Sequence, residues 1–208
     1  MKLQIALDTL TLDECIELLS QTKDFVDIAE IGTPFIIESG MEPVRVLKKL
    51  FPEIEILADA KIMDAGEYEA AACFKAGADI VTVLGVSHNE TIEGVVSSAK
   101  KFNKKVMVDM IAVNDIATRA VELDEMGVDY ICVHTAFDVQ MTGQNPLAEL
   151  KIVNGVIKNA KSAVAGGVKL ATIDEIVKEG AEIVVVGGAI SNAENRNDMA
   201  KQIRERMN

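Results

Sequence analysis

Leu57-Ala58-Asp59-Ala60-Lys61-Ile62-Met63-Asp64 places three charged side chains within six residues, directly after an apolar run. In an extended strand successive side chains alternate between faces, so Asp59 and Lys61 share a face and Asp64 lies just beyond the strand. Charged groups at the end of a hydrophobic strand are rarely buried unless they are paired or bound to something. An isolated Asp-x-Lys is compatible with a structural ion pair. Its meaning depends on what the other strands carry at the same level.

Outward from this stretch the chain repeats one unit. Residues 3–8 read as a strand ending in Asp8, and Thr11-Leu12-Asp13-Glu14 opens a helix with a threonine cap and an acidic first turn. Residues 25–30 form a second strand ending in Glu30, followed by helical spacing over 39–50. The third strand spans 54–61 and is followed by a helix to about residue 76. The fourth, 80–84, is almost continuously β-branched and precedes a helix over 89–102. Residues 105–109 end in Asp109 and are followed by a helix over 115–126 that stops at Gly127; residues 130–134 end in His134. After a longer loop and a helix to about 159, strands 162–165 and 183–186 end in Gly166-Gly167 and Gly187-Gly188-Ala189, and the last helix covers 193–206.

Eight strand-plus-helix units with apolar rather than alternating strands are the pattern of a parallel sheet covered by helices, and a single (β/α)8 TIM barrel over residues 1–208 fits best. The rival, an open doubly wound sheet, lacks its Gly-rich phosphate fingerprint after the first strand, where Asp8-Thr9-Leu10 stands. In a barrel, strand C-termini converge on one mouth, which brings Asp8, Glu30, Asp59, Lys61, Asp109 and His134 together. Barrels also bind phosphate with the loops after strands seven and eight, the positions of Gly166, Gly167, Gly187, Gly188 and Ala189.

The residue types suggest a chemistry. Glu30 and Asp59, on neighbouring strand ends, offer hard oxygen ligands suited to Mg2+, with Mn2+ an alternative, and water and substrate oxygens would complete the octahedron. Carboxylates around Lys61 keep its ammonium protonated, which suits an oxyanion partner better than a Schiff-base amine. His134 can move protons near neutral pH, with Asp109 orienting or assisting it. A metal and a fixed cation facing a sugar phosphate favour an enediolate.

Composition narrows the partners. The net charge of −12 argues against a nucleic-acid polyanion. Cys15, Cys73 and Cys132 are widely spaced and odd in number, as expected for buried apolar residues in a reducing compartment. No charged leader precedes the first strand and no apolar run reaches membrane-spanning length, so a soluble cytoplasmic protein without membrane partners is expected. His88 reads as a surface residue at a helix start, and the methionines follow helical core spacing.

Asp8, Glu30, the Asp59-x-Lys61-x-x-Asp64 motif, His134 and the paired glycines, in this order across nearly the whole chain, resemble the orotidine-phosphate decarboxylase superfamily. Within it the chain is similar to the 3-hexulose-6-phosphate synthase family through residues 58–66, Val108-Asp109-Met110-Ile111, residues 129–135 and Ala165-Gly166-Gly167-Val168-Lys169-Leu170. That resemblance implies reversible condensation of formaldehyde with ribulose 5-phosphate, Mg2+ dependence, and a homodimer in which Asp64 reaches the partner's site. Asp64 could instead cap the following helix. The runner-up is the related 3-keto-gulonate-6-phosphate decarboxylase family, which has a glutamate at the position of Asp109 and arginines at those of Phe137 and Ala189. A sugar-phosphate-binding module without turnover would need the glycine loops but not the charged constellation.

Overall fold

The computed structural model describes residues 1–140 and 145–208. Eight parallel strands, β1 (Lys2–Leu7), β2 (Ile28–Ile31), β3 (Glu55–Ile62), β4 (Ile80–Leu84), β5 (Lys105–Asp109), β6 (Tyr130–His134), β7 (Lys161–Ala165) and β8 (Ile183–Val186), close into a barrel in sequence order. Around it lie α1 (Leu12–Thr22), α2 (Thr33–Ser39), α3 (Glu42–Leu50), α4 (Gly66–Ala76), α5 (Asn89–Phe102), α6 (Ile116–Met126), α7 (Phe137–Gln140), α8 (Leu147–Val156), α9 (Ile173–Glu179), α10 (Gly188–Ser191) and α11 (Arg196–Arg206). The expected (β/α)8 barrel is the fold observed.

Each strand is apolar on both faces because both are buried. Inward-facing Ile28, Leu57, Ile80, Met107, Cys132 and Ile183 pack inside the barrel. Their outward neighbours, such as Ile5, Ile56, Val81 and Val133, pack under the helices. No helix among the described residues is long and apolar enough to cross a membrane.

The N-terminal end of the barrel follows a repeated rule. Asp27, Asp79 and Asp129 each stand immediately before an even-numbered strand and accept the N–H of the second residue of the preceding strand: Leu3 at 2.8 Å, Ile56 at 2.9 Å and Val106 at 2.8 Å. Arg204 of α11 donates to Asp27 at 2.7 Å and so ties the last helix to the first two strands.

Several boundaries differ from the sequence expectation, each for a local reason. The helix expected over 39–50 begins only at Glu42, as α3 with Pro43 in its first turn, and Gly40 at φ 59 separates it from α2 over Thr33–Ser39, which the spacing does not indicate. β2 starts at Ile28 rather than residue 25, because Asp27 is committed to Leu3. The last helix starts at Arg196, with Asn195 accepting the N–H of Asp198. α8 ends at Val156, short of 159, because Asp124 on α6 captures the N–H groups of Lys158, Asn159 and Ala160 at 3.0, 2.9 and 2.6 Å. The short helices α7 and α10 carry too few residues for a periodic signal. Residues 141–144, in the loop expected to be long, lie outside the described residues.

Asp124 provides a test of this architecture. Burial opposes its charge, but the three backbone N–H donors outweigh that and lower its pKa. A lowered folded-state pKa means the stabilisation is present above the unfolded value of about 3.9 and is lost as pH falls through the folded value. Asp124→Ala should cost about 2–4 kcal/mol at pH 7, from donors left unsatisfied. Urea titrations at pH 7 and pH 3 should show the variant's deficit shrinking at the lower pH.

Candidate active site

The mouth at the strand C-termini gathers the charged residues through β3. Asp59 and Lys61 do meet, with Nζ 2.7 Å from Oδ2, but not by simple strand alternation. Lys61 adopts φ 45, in the left-handed region, and the β3–β4 register jumps between Ala58↔Val81 and Ile62↔Val83. Three β3 residues, 59–61, therefore oppose Thr82 alone, a bulge that re-aims their side chains into the mouth.

Lys61 reaches a second carboxylate, Asp109 Oδ2, at 2.9 Å. Burial works against the lysine's charge, but Asp59 and then Asp109 outweigh it and hold the ammonium above its ordinary pKa. Asp109 is 3% exposed, and although burial opposes its ionisation, hydrogen bonding and charge from His134, with Lys61, hold it down to about 2. An ionised Asp109 can only accept, so the 2.9 Å contact from His134 Nδ1 is an N–H donation. His134 Nε2 is thereby left as the nitrogen able to take a proton. The second Asp109 oxygen accepts the N–H of Ile111 at 2.9 Å, which fixes the carboxylate plane.

Asp59 is equally constrained. Its Oδ1 accepts from Thr82 Oγ1 at 2.8 Å, and its Oδ2 lies 2.9 Å from Thr33 Oγ1. Glu30 is the third residue of β2, level with Ala6, so it lies deeper than Asp8, which stands beyond the end of β1. The expectation that the two occupy equivalent positions is corrected accordingly. Glu30 accepts from Gln4 Nε2 at 2.6 Å, and burial, followed by the Asp59 charge, holds its carboxyl well above the usual range. Asp8 opens to solvent at the mouth; partial desolvation, then Asp59, raises its pKa too. Gly32 makes room for it, since a Cβ there would stand 2.0 Å from Asp8 Oδ1.

Among the described residues no three acidic, histidine or cysteine side chains converge as a ready-made metal cage. The donor set nevertheless fits a hard divalent ion. Glu30 is a buried carboxylate with one neutral hydrogen bond and like charge beside it, short of a cation. Mg2+ commonly takes only one or two protein carboxylates and keeps its remaining sites for water and substrate.

Asp64 does not join this cluster. It is exposed in the β3–α4 loop and accepts its neighbour Ala65's N–H at 2.7 Å. It does not cap α4 either, because the N-cap position is Ala65, at φ 48 and without a side-chain cap. Across the mouth, Gly166 (φ 95) and Gly167 (φ 69) follow β7, and a Cβ on Gly166 would meet Thr135 O at 2.3 Å. Gly187 follows β8, with Gly188 and Ala189 opening α10, whose first N–H groups have no intrahelical partner. Phe137, on α7 just after His134, is 84% exposed.

A cavity of about 560 Å3 lies between the β4–α5 and β5–α6 loops, and none of these site residues lines it. His88 is exposed on its rim at the N-cap of α5, consistent with the surface reading. All three cysteines are buried and free, and burial pushes the thiols of Cys15 and Cys73 up to about 12 and about 11, and that of Cys132, inside the barrel, well above its ordinary value. None is a nucleophile by these properties. Sequence reasoning missed Gln4, Thr33 and Thr82; the only hint was a polar side chain inside the apolar runs Leu3-Gln4-Ile5 and Val81-Thr82-Val83.

Comparison with known proteins places this geometry. Residues 1–203 match the Orotidine 5'-phosphate decarboxylase / HUMPS family. A 3-hexulose-6-phosphate synthase from Bacillus subtilis is 47% identical over 205 residues, covering 99% of this chain and 98% of that protein. One from Staphylococcus aureus is 50% identical over 204 residues, covering 98% and 97%. The crystal structure of 3-hexulose-6-phosphate synthase from Salmonella typhimurium superposes with a TM-score of 0.97 at 42% identity, covering 100% of this chain and 98% of that one. The chain therefore belongs to the Orotidine 5'-phosphate decarboxylase / HUMPS family.

Proposed function

We propose that this chain is a 3-hexulose-6-phosphate synthase, an aldehyde-lyase that reversibly condenses formaldehyde with D-ribulose 5-phosphate to D-arabino-hex-3-ulose 6-phosphate. The observation that carries the reading is the Asp59–Lys61–Asp109–His134 chain of contacts at the mouth, opposite two glycine loops, in a sequence about half identical to proteins of that name.

The protein's groups perform the steps as follows. The N–H groups around Gly166, Gly167, Gly187, Gly188 and Ala189 hold the phosphate and leave the sugar's C1–C2 end toward the charged side of the mouth. His134 Nε2 removes a proton from C1, and the electron pair moves into the C1–C2 bond and onto the C2 oxygen, giving an enediolate. The Lys61 ammonium faces the developing oxyanion, while Asp109 holds the imidazole ring in orientation and stabilises its positive charge. C1 then attacks the carbonyl carbon of formaldehyde, and the resulting alkoxide takes the proton back from His134. Glu30 and Asp59 would hold Mg2+, which supplies Lewis-acid polarisation of a substrate oxygen. Asp8, at the rim beside Asp59, is placed to accept from a substrate hydroxyl.

Phe137 and Asp109 favour synthesis over decarboxylation. Phe137, exposed on α7, offers no donor to place a proton-delivering water beside the enediolate. Asp109 is committed to Lys61, His134 and Ile111 and leaves no free oxygen for another role.

We also infer a homodimer with shared sites. Asp64 lies exposed, away from its own chain's cluster, beside exposed Met63 and Tyr68, a position from which it can serve a partner's mouth. A cytoplasmic location suits a chain whose three thiols are all unpaired.

Two measurements test these readings. Purified enzyme should condense formaldehyde with ribulose 5-phosphate, lose activity in EDTA and regain it with Mg2+, and Glu30→Gln or Asp59→Asn should weaken metal binding by at least about 10-fold. Full activity in EDTA with borohydride trapping of Lys61, or a higher kcat/KM for decarboxylating 3-keto-gulonate 6-phosphate, would reject the assignment. Mixing inactive Asp64→Ala and Lys61→Ala chains should restore partial activity, because hybrid dimers contain one intact site. No recovery despite demonstrated subunit exchange argues against sharing.

A further inference from the structure

Thr82 stands in the middle of the apolar strand β4, is 3% exposed, and uses its hydroxyl in both directions. Its Oγ1 accepts the backbone N–H of Lys61 at 2.9 Å and donates to Asp59 Oδ1 at 2.8 Å. It is also the single β4 residue opposite the bulged segment 59–61, where the regular β3–β4 pairing is interrupted. The hydroxyl therefore takes the place of a ladder acceptor for Lys61 where the ladder fails, and Lys61 is the residue held at φ 45.

We propose that Thr82 is a positioning residue of the active site: it locks the bulge so that the Lys61 ammonium and the Asp59 carboxylate face the reacting sugar in one fixed relation. Left-handed backbone at a non-glycine residue is unfavourable and persists only when its surroundings enforce it. Thr33, the other hydroxyl on Asp59, touches the Asp59 carbonyl and Oδ2 but not Lys61, so it cannot substitute. Only a side chain that both donates and accepts satisfies the two partners. Valine, similar in shape, does neither, and serine does both.

The inference rests on the synthase reading for its kinetic consequence but not for its structural one, which allows the two to fail separately. In Thr82→Val, kcat for formaldehyde condensation should fall about 10–100-fold with KM for ribulose 5-phosphate nearly unchanged, the range typical of lost support behind a reactive group. Thr82→Ser should restore most of kcat. Independently of activity, the Lys61 backbone amide should be protected from hydrogen exchange in the wild-type and Thr82→Ser chains and exchange faster in Thr82→Val. If valine prevents folding, Thr82→Ala makes the same comparison. Wild-type kcat in the valine variant, or an equally protected Lys61 amide there, overturns the proposal. If the wild-type chain does not condense formaldehyde at all, the synthase reading fails and the amide measurement alone decides the role of Thr82.

Discussion

The Lys61 ammonium, held between Asp59 and Asp109, is the interaction on which the mouth of this barrel depends. Two nearly buried carboxylates at 2.7 and 2.9 Å from one nitrogen would repel each other without it. At an effective dielectric near 20, unit charges at about 4 Å interact by about 4 kcal/mol, and removing one member of a buried pair costs about 3–5 kcal/mol. His134 and then Lys61 keep Asp109 ionised, and the ionised Asp109 in turn fixes the hydrogen on His134 Nδ1. Burial and then the Asp59 charge hold the carboxyls of Glu30 and Asp8 above their usual range.

Holding that cation in place requires a departure from regular structure. A straight β3 would pair residue for residue with β4 and continue the apolar lining upward. The bulge at 59–61 breaks the pairing, and the φ 45 at Lys61 turns its side chain across the mouth toward β5. Such backbone costs on the order of 1–3 kcal/mol and is retained where neighbours over-determine it. Here the neighbours are the hydroxyls of Thr82 and Thr33 and the two carboxylates.

The opposite end of the barrel carries the compensating order. Asp27, Asp79 and Asp129 repeat one hydrogen bond at alternate strands, and Lys48 and Lys104 pair with Asp79 at 2.8 and 2.6 Å. Carboxylates at this end are matched by backbone N–H groups and lysines, whereas those at the mouth are held by Lys61, His134 and the polar side chains of Gln4, Thr33 and Thr82. The separation of stability from chemistry is the general property of the fold, and here it can be read from the fate of each aspartate.

The sequence by itself determined the barrel, because continuous apolar strands at regular spacing can be buried only under helices on one side and against each other on the other. It also determined that Asp8, Glu30, Asp59, Lys61, Asp109 and His134 share one mouth, since each follows or ends such a strand. The tertiary structure decided what residue types and spacing could not. Lys61 bridges to Asp109, which is 48 positions away in the chain, and Asp64 remains apart from the cluster despite lying three residues from Lys61. Gln4, Thr33 and Thr82 became visible only as partners, because a lone polar residue carries no periodic signal. The role of Thr82 depends on a register shift between β3 and β4, and register arises from contacts between strands rather than from either strand's own sequence.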